Sequence, residues 1–492
     1  MEFLKNYING KFVESKATEF FEAKNPALDT TIAKVPKSLK GEVDDTVAVA
    51  KEAFRNWANV PGIQRIQPLM KLETLLRENI AALTELTVKN HGKEWSAAEG
   101  EVVRAYQMID AALAIPEMQK GEFMEEIVSG IDEYSVRVPL GVFAMIPPFN
   151  FPVMIPFWFF PFAIAAGNTY IIKSNEQTPL PMQEVFELID KCGFPPGVLN
   201  LIHGGAEVAN MLIDHPDVMG VSSVGSTPTA KAIYRRATNL CKRAQCHGGA
   251  NNFLVVMSDA NIDNIMPNIM NSVYGNSGQR CLAGKKVIAV GNEKFYSYFK
   301  EKYLIAAKNL KVGSGMEKDS FMGPLVSKKA LDKVVNDIKR GVEEGAKLIL
   351  DGRKIKIAGY EKGYFLGPCI FEGTNPGMYI YKEEVFGPVA HLMHLHTLDE
   401  AIKLINNDPR GNATTIYTES GESARSFRKN VHAGNIGINL GIVAPLSYFP
   451  FAGTKESFFG TLRAQGREAL EFFTQSHVVI ERFHGSTKIE WD

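Results

Sequence analysis

The spacing of apolar residues changes along this chain, and the changes divide it. Near the start, KNYINGKFVES places an Asn-Gly turn between short strand-like runs, which is a hairpin signal. From 44 to about 112 the apolar positions recur every three or four residues. Leu72, Leu75, Leu76, Ile80, Leu83 and Leu86 fall on one broad face. This predicts amphipathic helices over 44–57, 66–90 and about 95–112. Beyond 138 the rhythm becomes strand-like. GVFAMIP, NTYIIK, VLNLIHG, VMGVSSVGS and a segment near 242–248 read as strands, with helices at 154–166, 179–191, 206–215 and 227–239 between them. A second alternating region begins at Asn252. Its strands are FLVVM, KKVIAVG, KLILDG and HLMHL, and its helices cover 260–274, 293–309, 328–345 and 398–406. The stretch 411–459 is rich in Gly, Asn and Pro and reads as loops with short strands. The tail FFTQSHVVIERF reads as a strand that pairs elsewhere. Strands alternating with helices imply parallel sheets covered on both faces, a doubly wound α/β architecture with ligands at the carboxyl ends of the strands.

One segment challenges this picture. From Val138 to Ile172 there is no charged residue, which is long enough to suggest a membrane helix. Pro139, Pro147, Pro148, Pro152, Pro156 and Pro161 interrupt it, and repeated proline breaks a continuous helix. Buried strands and a buried helix are expected instead, and no membrane span. The 492 residues, 45% hydrophobic and 22% charged, suffice for a large core without disulfide or metal. The net charge of −1 gives no basic excess for phosphate backbones and argues against a nucleic-acid partner. Five widely spaced cysteines form no secreted disulfide framework. MEFLKNYINGKF shows no signal-peptide pattern, so a cytoplasmic setting is expected.

The candidate chemistry centres on Gly278-Gln279-Arg280-Cys281. A cysteine thiolate attacks carbonyls without a strong base, and the preceding Gly275, Ser277 and Gly278 suggest a permissive loop against a ligand. The competing reading is a small buried hydrophobe. Lys173 and Glu176 stand at a strand end, where a solvated turn is equally compatible. Ser226 opens a helix, as an N-cap or as a contact for a phosphate on free N–H groups. His391, His394 and His396 lack partners at metal-like spacing, so no metal site is expected.

Five motifs taken in order carry a stronger message. They are Pro148-Phe149-Asn150-Phe151-Pro152, Lys173, Gly225-Ser226-Thr227, the Cys281 segment and Glu384-Val385-Phe386-Gly387-Pro388. In order and approximate spacing they resemble the aldehyde dehydrogenase superfamily over nearly the whole chain. That resemblance also accounts for the missing GxGxxG, since this family holds its dinucleotide without it. FNFP, GQRC, Ser457-Phe458-Phe459-Gly460, Phe472-Phe473-Thr474-Gln475 and the segment Glu99-Gly100-Glu101-Val102-Val103-Arg104 are similar to the CoA-acylating methylmalonate-semialdehyde dehydrogenase branch.

The resemblance implies roles. Cys281 would be the nucleophile and Asn150 an oxyanion donor. NAD would meet Ile146, Phe149, Lys173, Glu176, Gly225, Ser226, Glu384 and Phe386. The Glu176 carboxylate would disfavour a 2′-phosphate and so favour NAD over NADP. Arg104 and Arg280 would hold the carboxylate of a semialdehyde substrate, because arginine offers two parallel N–H bonds. Hydrolytic relatives carry a Glu two positions before the Gly-Gly at a strand end. Here Gln245-Cys246-His247-Gly248-Gly249 puts Cys246 in that place, which disfavours water and leaves CoA as acyl acceptor. Expected boundaries are 1–120 and 139–248 for NAD binding, 249–440 for catalysis, and 121–138 with 470–492 for a β oligomerisation element of a homodimer or homotetramer. Two alternatives stand beside this reading: a hydrolytic enzyme using His247 or a positioned water, and a non-catalytic dinucleotide-binding scaffold.

Overall fold

The computed structural model describes residues 2–483 and is organised around two largely parallel sheets. The first has eight strands, in the order Phe458–Phe459, Arg243–His247, Val218–Val224, Val142–Ile146, Thr169–Lys173, Leu199–Ile202, Asn6–Ile8 and Lys11–Val13. The five strands from Arg243–His247 to Leu199–Ile202 run parallel. Chain order reverses between Val142–Ile146 and Val218–Val224, and such a switch point opens a ligand crevice beyond the strand ends. Val142–Ile146 and Thr169–Lys173 are buried at every position, so they read as continuous apolar runs rather than alternating ones. The expected Asn-Gly hairpin is present, with Asn9 and Gly10 at φ of 53° and 74°, as a two-residue turn needs.

The second sheet has seven strands: Lys347–Leu350, Cys369–Glu372, Val389–Leu395, Lys286–Val290, Phe253–Met257, Ala413–Tyr417 and Asn435–Ile438. The last two strands, with the helix Gly421–Asn430 between them, fall in a region expected to be mostly loop. The β-branched run of Ala413–Tyr417 pairs along Phe253–Met257, and Ser420 caps the helix by accepting the Ser423 N–H at 3.2 Å. Two expected helices are broken. The 66–90 helix is interrupted at Asn79, whose side chain donates to the Leu75 carbonyl at 2.8 Å, giving Gln67–Glu78 and Ile80–His91. The 154–166 helix becomes Met154–Phe157 and Phe160–Ala166, the second with Pro161 in its first turn, where no N–H is required. A three-stranded sheet of Glu2–Phe3, Thr30–Pro36 and Phe20–Asn25 was not foreseen.

The segment 138–172 folds into buried strands and short helices, and no described helix is long and apolar enough to cross a membrane. A separate three-stranded sheet, the third sheet hereafter, pairs Phe123–Val128 with Ile131–Pro139 through the turn Ser129–Gly130, and Thr474–Glu481 joins along Ile131–Pro139. Phe472 and Phe473 close the helix Gly466–Phe473 instead of starting that strand. Residues 484–492, expected in the same element, lie outside the described residues.

Candidate active site

The carboxyl ends of the first sheet and the amino ends of the second supply the candidate residues. Cys281 precedes Lys286–Val290, Asn252 precedes Phe253–Met257 and Asn412 precedes Ala413–Tyr417, three neighbouring strands. This adjacency lets the Asn252 and Asn412 side chains donate to the Cys281 carbonyl at 2.8 and 2.9 Å. Asn252 also donates to the Ala283 carbonyl and accepts the Ala413 N–H, each at 2.9 Å. The loop before Cys281 is conformationally unusual. Asn276 and Ser277 sit at φ of 53° and 51°, a left-handed region that non-glycine residues enter at a cost. Gly278 follows at φ 69°, and a Cβ there would collide with the Gly387 carbonyl and the Lys285 ammonium.

Asn150, four residues beyond Val142–Ile146, is buried and reaches this loop, its side chain donating to the Gln279 carbonyl at 2.9 Å. Cys281 is partly exposed to a cavity of about 350 Å³, lined also by Arg104, Met108, Trp158, Arg280, Phe451 and Gln465. Burial, then the charge of Glu384, pushes the Cys281 thiol up to about 12. The two arginines differ. Arg280 donates to the Asn271 carbonyl at 3.1 Å and its side-chain oxygen at 3.2 Å, and pairs with Glu94 at 3.4 Å. It reaches the cavity with its guanidinium already engaged by these two residues. Arg104 makes one long bond, 3.5 Å, to Gln107, and has no ion pair among the described residues. Its neighbour Glu101 bonds Lys93 instead.

The remaining candidates gather at the switch point. Ile146 ends its strand and is buried. Phe149 meets Phe386 edge to face, centroids 5.7 Å apart. Lys173, almost fully buried, donates to Glu176 at 3.1 Å and to the Gly204 carbonyl at 2.8 Å, and burial lowers its pKa while Glu176 opposes the shift. Gly225 and exposed Ser226 lead into the helix Thr227–Asn239. The Ser226 hydroxyl bonds Thr229 at 2.9 Å and makes no cap to a backbone N–H. Glu384 lies against Gly249, where any Cβ would strike its carboxylate. Burial raises the Glu384 pKa, with the Ala250 N–H opposing.

One expectation is reversed. Cys246 faces the apolar cluster of Val43, Val47, Val221 and Ala230, away from the cavity, and burial pushes its thiol up to about 12. The next residue on a strand points the other way. His247 accordingly packs on Trp158 and Phe451, centroids 6.2 and 5.5 Å away, both of which line the cavity. The residue at the place expected for a base is thus His247, and a carboxylate at 246 would not face the cavity. His247 is fully buried with neither ring nitrogen bonded, and burial and then Arg463 push it down to about 3, so it is neutral. His391 bonds Thr374, His394 donates to the Gly291 carbonyl, and no described group of three or more His, Cys, Asp or Glu is arranged to hold a metal. Sequence reasoning missed Lys93, Glu94, Asn252 and Asn412.

The fold and this arrangement define a class. The aldehyde dehydrogenase family model matches residues 12–479, and the chain belongs to that family of oxidoreductases. It is 41% identical over 481 residues to malonate-semialdehyde dehydrogenase 1 of Geobacillus kaustophilus, covering 98% of each chain. Among solved structures it is similar to methylmalonate-semialdehyde dehydrogenase from Oceanimonas doudoroffii, with a TM-score of 0.96, 35% identity and 99% of both chains covered. It is also similar to the NAD+ complex of an aldehyde dehydrogenase from Bacillus cereus, with a TM-score of 0.93, 30% identity, and 98% and 97% of the two chains covered.

Proposed function

We propose that this chain oxidises a semialdehyde acid of the malonate or methylmalonate type with NAD, through a thioester on Cys281, and passes the acyl group to CoA. The observation that carries this reading is Arg104, a half-buried cation with no carboxylate partner among the described residues, lining the same cavity as the Cys281 thiol. A carboxylate at the far end of a short aldehyde supplies the missing partner.

The switch-point residues fit a dinucleotide. The open helix start at Gly225-Ser226 suits a pyrophosphate. Lys173 and Glu176 suit adenosine ribose hydroxyls, and the close approach of Glu384 to Gly249 suits the second ribose. NAD supplies a hydride acceptor there. On the protein side, Cys281 adds to the aldehyde carbon as thiolate, and its proton leaves to solvent. The Asn150 side-chain N–H and the Cys281 N–H hold the resulting oxyanion, at about 3–4 kcal/mol per donor in related chemistry. For this, the Asn150 amide turns from the Gln279 carbonyl to the new oxygen. Loss of hydride leaves the thioester. The CoA thiol then attacks its carbonyl, expels the Cys281 thiolate, and gives its own proton to solvent.

The NAD-binding part is assigned to 1–120 and 139–248, the catalytic part to 249–440, and assembly to 121–138 with 470–492. Among the described residues both outer strands of the third sheet are open edges, carrying exposed Phe123, Val128, Val478 and Ile480, which favours pairing with a second copy as dimer or tetramer.

A second reading, hydrolysis, draws support from His247 on the cavity side. The two are separated by NADH release from malonate and methylmalonate semialdehydes with and without CoA. Without CoA we expect a burst near one NADH per subunit, then slow turnover. Fast CoA-free turnover would establish hydrolysis, and normal turnover by Cys281→Ala would end both readings.

A further inference from the structure

The catalytic constellation spans two sheets, yet one dipeptide touches both halves of it. We propose that Lys93 and Glu94, just before the helix Trp95–Ala112, are positioning residues that fix the Asn150 segment and the Cys281 loop in register. The proposal rests on the reading of Cys281 as nucleophile and Asn150 as oxyanion donor.

The Lys93 arm is fully buried. Its ammonium donates to Glu101 at 2.5 Å and to the Asn150 carbonyl at 2.6 Å, and lies 4.1 Å from the Phe151 ring centroid. The other Glu101 oxygen accepts the Val153 and Met154 N–H groups at 2.7 and 3.1 Å. Three backbone groups of the 150–154 segment are therefore held by one ion pair. The Glu94 arm reaches the opposite side. Its carboxylate accepts the Asn276 N–H at 2.9 and 3.1 Å and pairs with Arg280 at 3.4 Å. Asn276 is the first of the two left-handed residues, so the carboxylate grips the loop where its backbone is strained. The Asn276 side chain then donates to the Asn150 carbonyl at 3.4 Å and to the Gln279 carbonyl at 3.2 Å. The two arms thus converge on the Asn150 carbonyl. The dipeptide is itself held from behind: a Cβ on Gly315 would strike the Lys93 carbonyl and one on Gly323 the Gly92 carbonyl.

A loop released from Glu94 loses what keeps Asn276 and Ser277 left-handed, and Cys281 follows five residues on. Misplacement by about 1 Å is enough for a ~10²-fold rate loss. The effect should appear on any aldehyde, because it concerns the thiol and the oxyanion site rather than the substrate's far end.

The test uses the full-length enzyme, the NADH burst with propanal, NAD binding by fluorescence titration, and Tm. In Glu94→Ala we expect the burst to slow by about tenfold or more with NAD affinity unchanged. Glu94→Gln keeps one acceptor for the Asn276 N–H and should recover part of that loss. Lys93→Met should slow the burst similarly. A folded Glu94→Ala enzyme with the wild-type burst rate would overturn the proposal, as would parallel losses of burst and NAD binding. If Glu94→Ala does not fold, a wild-type burst in Glu94→Gln overturns it. A burst surviving in Cys281→Ala would remove instead the reading on which the proposal rests.

Discussion

Replacing Arg104 by Ala tests whether this cavity reads a carboxylate. Two of the charges at its wall are already balanced. Glu101 is bound to Lys93 at 2.5 Å and Arg280 to Glu94 at 3.4 Å, which leaves Arg104 as the cavity-lining cation without an acidic partner among the described residues. A charge-assisted hydrogen bond to a carboxylate contributes about 1.5–3 kcal/mol net. At about 1.4 kcal/mol per decade, that is roughly a 10- to 100-fold loss in kcat/KM. The bare attraction of two unit charges 4 Å apart, near 4 kcal/mol at an effective dielectric constant of about 20, sets an upper bound, since both groups give up water. The assay compares kcat/KM for malonate semialdehyde and propanal at saturating NAD and CoA. Arg104→Ala should lose the full factor on the semialdehyde and little on propanal, which has no carboxylate. Arg104→Lys should recover only part, because an ammonium cannot offer the planar fork. Equal losses on both substrates would show that Arg104 supports the fold or the thiol, and the semialdehyde-acid reading would lose its warrant.

Two further outcomes follow from burial. Cys246→Glu should lower Tm and leave CoA-free turnover unchanged, because a carboxylate among Val43, Val47 and Val221 is buried without a partner and faces away from the cavity; a gain in hydrolysis would refute the assigned strand facing. With the Cys281 thiol raised to about 12, thiolate is the minor form at neutral pH. Its alkylation by iodoacetamide, without cofactor, should therefore rise about tenfold per pH unit from pH 7 to 9, and a plateau near pH 8 would contradict that.

The parallel sheets were legible because their strands are buried on both faces and alternate with helices of clear period. The Asn-Gly hairpin and the third sheet carried local turn chemistry that a sequence displays. What escaped depended on contacts between distant segments. The stretch 411–459, read as loops with short strands, does hold Ala413–Tyr417 beside Phe253–Met257, but the helix Gly421–Asn430 that follows is not announced by its Gly- and Asn-rich surroundings. Asn252 and Asn412 escaped because the carbonyl they share, that of Cys281, is 29 and 131 residues away. The Cys246 error has a different source. The glycines of Gln245-Cys246-His247-Gly248-Gly249 pointed to position 246, and on a strand one residue exchanges the two faces of the sheet. Only the packing of His247 against Trp158 and Phe451 reveals the facing.

The corrected facing strengthens the case for a thiol acceptor while changing its basis. Water attacking a thioester at neutral pH needs a base, and Glu101 is the one carboxylate among the described residues lining the cavity. Its oxygens are held by the Lys93 ammonium and two backbone N–H groups, so taking a proton would require breaking a fully buried ion pair. Glu384, a second carboxylate, whose charge does reach the thiol, lies against Gly249 on the proposed cofactor side. His247 faces the right way but is pushed down to about 3, too weak a base to take a proton from water. A thiol near its ordinary value of about 8.5 is a few per cent thiolate at pH 7 and needs no base at all. On the proposed mechanism, the same burial that weakens His247 would let a thioester on Cys281 outlast water and wait for a thiol.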